Sequence, residues 1–412
     1  MARTDAIVLG AGIVGVSTAL QLAKRGMSVV LIDRRTPGEE TSYGNSGIIE
    51  GNTVFPPAFP DFAGLIRVAL KQAPEANYHL SFLPMIAPWL LAYRAATRPA
   101  KLIEHARLVR PLFAQAVAEH EMLMQEADAT RYMRKTGWLK LYRSDESFKK
   151  LKAELETAAS FGIPLERIDV AAARALEPSL APVFAHAVFW QSAVSLSNPL
   201  AVTRAYAARF TALGGITLSG DARSLHRNGT RWRVETGEGP IDADHAIVAL
   251  GPWAPDVLGP LGMRLPMAYK RGYHRHFRPQ GNAGLARPVL DADNGYVITP
   301  MEQGIRVTTG AEFAARDAPP TPVQFARLMP KARILFPLGD QIGETWMGSR
   351  PTFPDSRPVI GRAPKYETLW LAIGHTHWGL TLGPVTGRLI AEMMTGAVPF
   401  CDPAPFRAER FS

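Results

Sequence analysis

Cysteine is almost missing from this chain. Cys401 is the single one among 412 residues, which excludes an intrachain disulfide framework and any cysteine-rich metal site. A reducing, cytoplasmic setting suits such a sequence. Histidine does not fill the gap, because His79, His105 and His120 have no second ligand at i+4 and read as structural or exposed; no metal is expected. Long apolar runs are missing too. The stretch Leu80 to Ala92 is broken by Pro84 and Pro88 and is too short to cross a bilayer. The apolar N-terminus holds a glycine motif where a signal peptide needs its hydrophobic core, and no cleavage pattern follows, so neither a leader nor a transmembrane helix is expected. Lys and Arg are scattered, with no zinc spacing or basic-aromatic motif beside them, which speaks against nucleic acid as a partner. The net charge of +9 instead suits an anionic cofactor, an anionic substrate or loose attachment to an anionic membrane surface. There is no repeat or low-complexity tract.

What is present is organised around Ala6 to Asp33. Ala6-Ile7-Val8-Leu9 is a continuous apolar run, as a strand buried on both faces of a parallel sheet requires. Gly10-Ala11-Gly12-Ile13-Val14-Gly15 follows at once: the first glycine permits a tight turn, the second lets backbone approach a pyrophosphate, and the third lets a helix pack closely on the strands. Val16, Ala19, Leu20 and Ala23 recur at helical spacing, and Gly26 supplies the stop. Val29 to Ile32 is a second buried strand. Asp33 at its end sits where an acid accepts hydrogen bonds from a ribose, with Arg34 and Arg35 beside it.

With 47% hydrophobic residues, a chain of this length should form two domains that can interleave. The loop Glu39 to Gly47 is dense in hydroxyls, amide and glycine, suited to bonding a polar ligand across the sheet, or else an ordinary surface loop. Asp61 to Met124 reads as helical, with Leu65, Val68, Ala69, Leu112, Val117 and Leu123 among its apolar positions and prolines dividing it. Trp138 to Tyr142 alternates like a strand, and Ser147 to Gly162 like an amphipathic helix. Asn198-Pro199 is a strong helix start, and Gly214-Gly215 ends that helix. Ile216 to Leu218, Trp232 to Glu235 and Ala246 to Leu250 read as strands, the last ending in Gly251-Pro252-Trp253, where an open α/β sheet places its ligands. From Met267 to Glu312 the pattern changes to short strands with hairpin signals, hence antiparallel sheet and a second domain. Thr368 to Ile373 is again a buried strand, running through Gly374-His375-Thr376-His377-Trp378-Gly379 into a helix.

Three separated stretches together resemble the FAD-dependent D-amino acid dehydrogenases, within the D-amino acid oxidase-like flavoprotein superfamily. They are the glycine motif with Asp33, the loop Thr41-Ser42-Tyr43-Gly44-Asn45-Ser46-Gly47, and the C-terminal pair Gly348 to Gly361 with Gly374 to Thr381. Ala249 to Trp253 and Lys270 to Tyr273 match weaker family patterns. The resemblance implies an α/β plus α+β architecture: a Rossmann-like FAD-binding domain from 1-78, 190-265 and 340-412, with an interleaved antiparallel-sheet substrate domain from 79-189 and 266-339. It implies non-covalent FAD, because no cysteine lies near the flavin motifs and the loop position where some relatives attach flavin through histidine has none.

The cofactor contacts it implies are Gly10 to Gly15, Asp33, Arg34, Arg35, Thr41, Ser42, Asn45, Ser46, Gly47, Gly251, Trp253, Gly374, His375, Trp378, Gly379, Leu380 and Thr381. Trp378 could equally be plain core. The final helix would turn its positive end towards the negative charge that builds up on reduced flavin. Arg350 is the expected clamp for a substrate carboxylate, with an internal pair to Asp355 as the alternative. Tyr273 and Arg271 resemble the active-site wall, or are ordinary sheet surface. His377 is a further candidate in the flavin-facing loop, and Arg306 reads as solvated or structural.

The implied reaction is oxidative deamination of a D-amino acid by hydride transfer, with D-proline or a hydroxyproline isomer among the candidates. Electrons would pass to a quinone or carrier protein, with the enzyme peripheral on the inner face of the cytoplasmic membrane. A glycine- or sarcosine-type oxidase using oxygen, and a flavin-binding subunit of a larger complex, are the competing readings. A pure NAD-binding protein leaves the C-terminal motifs unexplained. Oligomeric state is not legible.

Overall fold

A computed structural model describes residues 4–411. It is a mixed α/β protein built on two large sheets. In the first, strand Thr4–Leu9 lies between Val29–Asp33 and Gly239–Val248, all parallel, as the continuous apolar runs require. Ile216–Asn228 extends this parallel core beyond Val29–Asp33, and Tyr366–Ile373 extends it beyond Gly239–Val248. Val359–Ala363 closes that edge antiparallel, and Arg231–Thr236 ties the two long strands together antiparallel to both. Helices Ile13–Ala23 and Gly379–Met394 pack against one another over this sheet. Their interface joins the large apolar core that contains Val16, Leu20, Leu382 and Leu389.

The second sheet is mostly antiparallel and has ten strands. Its long central pair is Ala268–Pro279 against Leu338–Thr352, flanked by Gly304–Thr308 and Tyr296–Met301. Lys270 faces Arg350 across this pair, Gly272 faces Gly348 and His274 faces Trp346. Directly opposed residues share a face of the sheet, so these six project together and Arg271 and Tyr273 project the other way.

Several expectations shift. Leu338–Thr352 and Ala76–Tyr78 pair in the second sheet, so the segments 340–352 and 76–78 do not belong with the nucleotide sheet. Helix Pro99–Glu126 buries Leu112, Phe113, Leu123 and Met124 in the core of helices Ile13–Ala23 and Gly379–Met394, away from the second sheet. The prolines divide the helical region less than expected: Pro88 and Pro111 lie inside helices Leu83–Ala96 and Pro99–Glu126. Leu65 and Ala69 are exposed rather than core. Ser147 to Gly162 is two short helices, Asp145–Lys149 and Lys152–Ser160. Asn198 caps helix Pro199–Ala212 as expected, its side-chain oxygen accepting from the Ala201 amide at 3.0 Å.

Candidate active site

A cavity of about 360 Å3 runs from the glycine turn to the face of the second sheet that carries Arg350. The turn is built by Gly10, whose φ of 103° is open to glycine and strained for other residues. Asp33 holds the turn in place: one carboxylate oxygen accepts the Ala11 amide at 2.7 Å and the other accepts the Arg35 amide at 3.0 Å. A carboxylate has about four lone-pair sites, so Asp33, which borders the cavity, retains capacity for ribose hydroxyls. Gly12 is the N-cap of the first helix and supplies no side-chain cap; Ser42 Oγ reaches in from the loop and accepts the Ile13 amide at 2.9 Å. Arg34 stacks on Trp253 at 4.6 Å, forming a wall at this end.

The middle of the cavity is framed by Thr41, Ser42, Gly44 and Asn45. Arg306 fixes this loop. It is buried, donates to the Tyr43 carbonyl at 2.9 Å and to that of Asn45, and donates to His276 Nε2 at 3.0 Å, a structural role. Asn45 in turn donates to the His377 carbonyl at 3.1 Å, tying loop to loop. At the far end lie Trp346, Gly348, Arg350, His375, His377, Gly379 and Leu380. Helix Gly379–Met394 starts here, again without a side-chain cap.

Arg350 is half-buried and makes no ion pair among the described residues. Its Nη1 donates to the Gly310 carbonyl at 2.9 Å and its Nη2 to that of Thr309 at 3.2 Å, leaving donors free for a carboxylate. The alternative partner, Asp355, is taken by Arg357 at 3.0 Å and Arg410 at 2.8 Å. Glycine at 272 makes room for the guanidinium: a Cβ there would stand 2.3 Å from Arg350 Nη2. Lys270, opposite Arg350 in the ladder, lies over the rings of Tyr93 at 4.2 Å and Trp89 at 5.3 Å and has no acidic partner among the described residues. Burial, and then the Arg350 charge, push its ammonium down to about 7. Burial lowers Arg350 to about 10. His377 is pushed down to about 3 by burial and then by Arg350 and Lys270, and His375, bonded to Thr386 Oγ1 at 2.9 Å, falls to about 3 by burial; both are neutral at physiological pH.

Two candidates are corrected by the geometry. Arg271 does not border the cavity: it is fully buried on the opposite face, 2.9 Å from Glu312. Tyr273 borders the cavity, yet its hydroxyl is committed away from it, donating to Glu312 at 2.6 Å and accepting from the Thr321 amide at 2.8 Å. Of the expected cofactor contacts, Ala11, Gly15, Arg35, Ser46, Gly47, Gly374, Trp378 and Thr381 do not border the cavity. Most of them shape it from behind. Gly15 sits so close to Gly10 that a Cβ would meet its carbonyl oxygen at 1.8 Å. Arg35 is exposed, 3.1 Å from Glu40. Trp378 is core, edge-on to Phe113 at 5.3 Å. Thr381 bridges its helix to strand Ile48–Ile49, donating to the Ile48 carbonyl at 3.2 Å. Gly272, Trp346 and Gly348, which border the cavity, were missed, although the Lys270-Arg271-Gly272-Tyr273 match fell on the right strand; Lys270 stands beside Arg350 without bordering the cavity. Strand register supplies the missing information.

These residues fit a flavin dinucleotide. Two helix N-termini that their own N-cap residues leave uncapped border the cavity, and such ends attract phosphate oxygens and developing negative charge. The acids that border it, Asp33, Glu40, Asp221 and Asp256, all gather at the Arg34 and Trp253 end, leaving the Arg350 end cationic.

Comparison with known proteins agrees. The family model described as FAD dependent oxidoreductase (DAO) matches residues 5–393. The D-amino-acid oxidase of Bradyrhizobium diazoefficiens is 30% identical, over 98% of each chain. The D-amino acid dehydrogenase of Azorhizobium caulinodans is 32% identical, over 95% of this chain and 96% of its own. Among solved structures, glycine oxidase from Geobacillus kaustophilus superposes with a TM-score of 0.76 at 22% identity, covering 99% of both chains. The chain belongs to the FAD-dependent oxidoreductase family, and FAD is its cofactor.

Proposed function

We propose that this member of the FAD-dependent oxidoreductase family oxidises a D-amino acid at the carbon bearing the amine. The product is an imino acid that water hydrolyses to a 2-oxo acid and ammonia. Cyclic substrates such as D-proline or a hydroxy-D-proline are included, and a quinone or carrier protein takes the electrons onward. The observation that carries this reading is Arg350: a half-buried guanidinium with spare donors and no acidic partner, at the cationic end of the cavity. A planar fork of this kind matches a carboxylate bidentately.

Bound FAD supplies the two-electron acceptor for the substrate's α-hydrogen and its electron pair. The chain's own residues supply position and charge. Arg350 anchors the carboxylate, which fixes the α-carbon relative to the cofactor. Arg350, with Lys270 opposite it in the ladder, disfavours an ammonium beside it, which favours the neutral amine that oxidation requires. Neutral His377 adds no third charge to that wall. The N-terminus of helix Gly379–Met394, whose Gly379 and Leu380 border the cavity, would offer partial positive charge to a bound cofactor that gains negative charge on reduction.

The test is anaerobic bleaching of the FAD-loaded protein by D- and L-amino acids, including proline and hydroxyproline isomers, sarcosine and glycine. Bleaching by D-isomers is expected. Slow reoxidation by oxygen, with little hydrogen peroxide, is expected of a dehydrogenase, whereas fast reoxidation would move the assignment to an oxidase. A bound cofactor that no member of the panel bleaches would overturn the amino acid reading.

Lys270 adds a pH dependence that can be measured without a substrate. An anion at Arg350 favours charged Lys270, so binding of an amine-free carboxylate should be strongest below pH about 7 and weaken as pH rises through it. The loss of one unit charge near the anion is worth about 1–2 kcal/mol, roughly tenfold in affinity. Titrating benzoate against the FAD absorbance band should show this decline in the native protein and a flat profile in Lys270→Met.

A further inference from the structure

Along strand Leu338–Thr352 the residues Trp346, Gly348 and Arg350 alternate onto one face, and all three border the cavity. Two glycines place the half-buried indole of Trp346. A Cβ on Gly348 would run into Trp346 Cη2, and a Cβ on Gly44, in the loop Thr41 to Gly47, would run into Cζ3. The six-membered ring therefore fills a slot between the sheet and the loop that exists because both positions are glycine. Two further rings hold it there. His274, opposite Trp346 in the ladder, stacks on it with centroids 5.0 Å apart and planes inclined by 19°, and Tyr43 meets it edge-on at 5.9 Å. Burial, and then the Arg306 and His276 charges, push His274 down to about 2, so the ring behind the indole stays uncharged.

Arg350 reaches the same spot from the other side. Its guanidinium takes the space above Gly272, and Gly272 faces Gly348 across the ladder. Directly opposed positions of an antiparallel pair have their Cβ sites about 5 Å apart. The guanidinium and the indole thus stand over facing glycines, which put no side chain between them. In a ligand whose carboxylate rests on Arg350, the α-carbon is one bond away from that carboxylate, and the group it carries meets the indole. We propose that Trp346 determines substrate size: the side chain on the α-carbon packs against its ring, which takes compact apolar groups and excludes bulky aromatic ones. An indole beside two bare glycines offers dispersion contact and no charge, which favours an apolar group. A ring seated between glycines and backed by His274 has nowhere to yield to a larger one. The inference rests on Arg350 as the carboxylate clamp of the proposed function.

The test compares two amine-free acids, cyclopentanecarboxylate and 2-naphthoate, titrated against the FAD absorbance band of the loaded protein. The native protein should bind the compact acid at least about tenfold more tightly, and Trp346→Ala should move that ratio at least about tenfold towards 2-naphthoate. Trp346→Phe keeps a ring on His274 and should move it the same way by less, which covers the case that the alanine variant loses its cofactor. Anaerobic bleaching by D-proline and D-tryptophan should shift in parallel. A structural role alone, holding the loop against the sheet, would weaken both acids alike; an unchanged ratio in the variants would therefore overturn the proposal, as would a native protein that prefers 2-naphthoate. Arg350→Met separates this result from the reading beneath it. If that variant binds both acids as the native protein does, the clamp falls and the size wall with it, whereas a working clamp with an unchanged ratio in the Trp346 variants overturns the wall alone.

Discussion

Arg350→Met is expected to give a folded, FAD-containing protein that no longer responds to its substrate at ordinary concentrations. The native guanidinium spends two donors on the carbonyls of Thr309 and Gly310 and keeps the rest for the ligand. Truncating one member of a desolvated, hydrogen-bonded charge pair costs about 2–5 kcal/mol, so the second-order rate of anaerobic cofactor bleaching should fall by roughly 30- to several thousand-fold. Arg350→Lys should recover part of this, since an ammonium keeps the charge and loses the fork. Loss of less than about threefold in Arg350→Met would remove Arg350 from the site and the carboxylate reading with it.

Arg271→Met should do the opposite: weaken the fold and spare the chemistry. Arg271 and Glu312 are both fully buried, and their pair is the hub of a network. Tyr273 and Asn77 donate to Glu312 at 2.6 and 2.8 Å, Thr321 Oγ1 also donates to it, and Arg271 donates to the Pro319 carbonyl at 2.8 Å. The network therefore pins strand Ala76–Tyr78 and the 314–321 loop to the second sheet. Removing one partner strands a buried carboxylate, at a cost of about 3–5 kcal/mol. The urea midpoint should drop clearly while the bleaching rate per folded, FAD-bound molecule stays within a few fold. A variant of native stability that cannot be bleached would return Arg271 to the substrate wall.

The contrast between these two arginines shows how far the sequence could be read. Gly10 to Gly15, the strands around them and Asp33 were legible because the motif is local: a tight turn, a helix start and a carboxylate at fixed spacing. That short strands begin near Met267 was also legible, and strand Ala268–Pro279 runs there, with Gly272 and Tyr273 bordering the cavity. Its facing was not. The side-chain period of a strand is two, so a reading off by one residue turns Arg271 to the face that Arg350 shares, where the structure has Gly272 and Lys270. Nothing in the local pattern chooses between the two faces, because both are buried by different neighbours. Trp378 went the same way: its position in the loop was legible, but its packing on Phe113 depends on helix Pro99–Glu126.

By itself, then, the amino-acid order determined the nucleotide-binding half. Runs of apolar residues, glycines with special dihedrals and helix caps act over a few residues and need no distant partner. It also determined, by the change from continuous to alternating apolar pattern, that a second sheet follows. Only the tertiary structure decided which face of that sheet meets the cavity, which arginine is spent in an internal pair and which is left for a ligand. It also decided that Phe62–Ala69 would find no core to bury in. These outcomes depend on register and on contacts between segments up to several hundred residues apart, such as Thr41 with Ser349. Such contacts form only when the whole chain has packed.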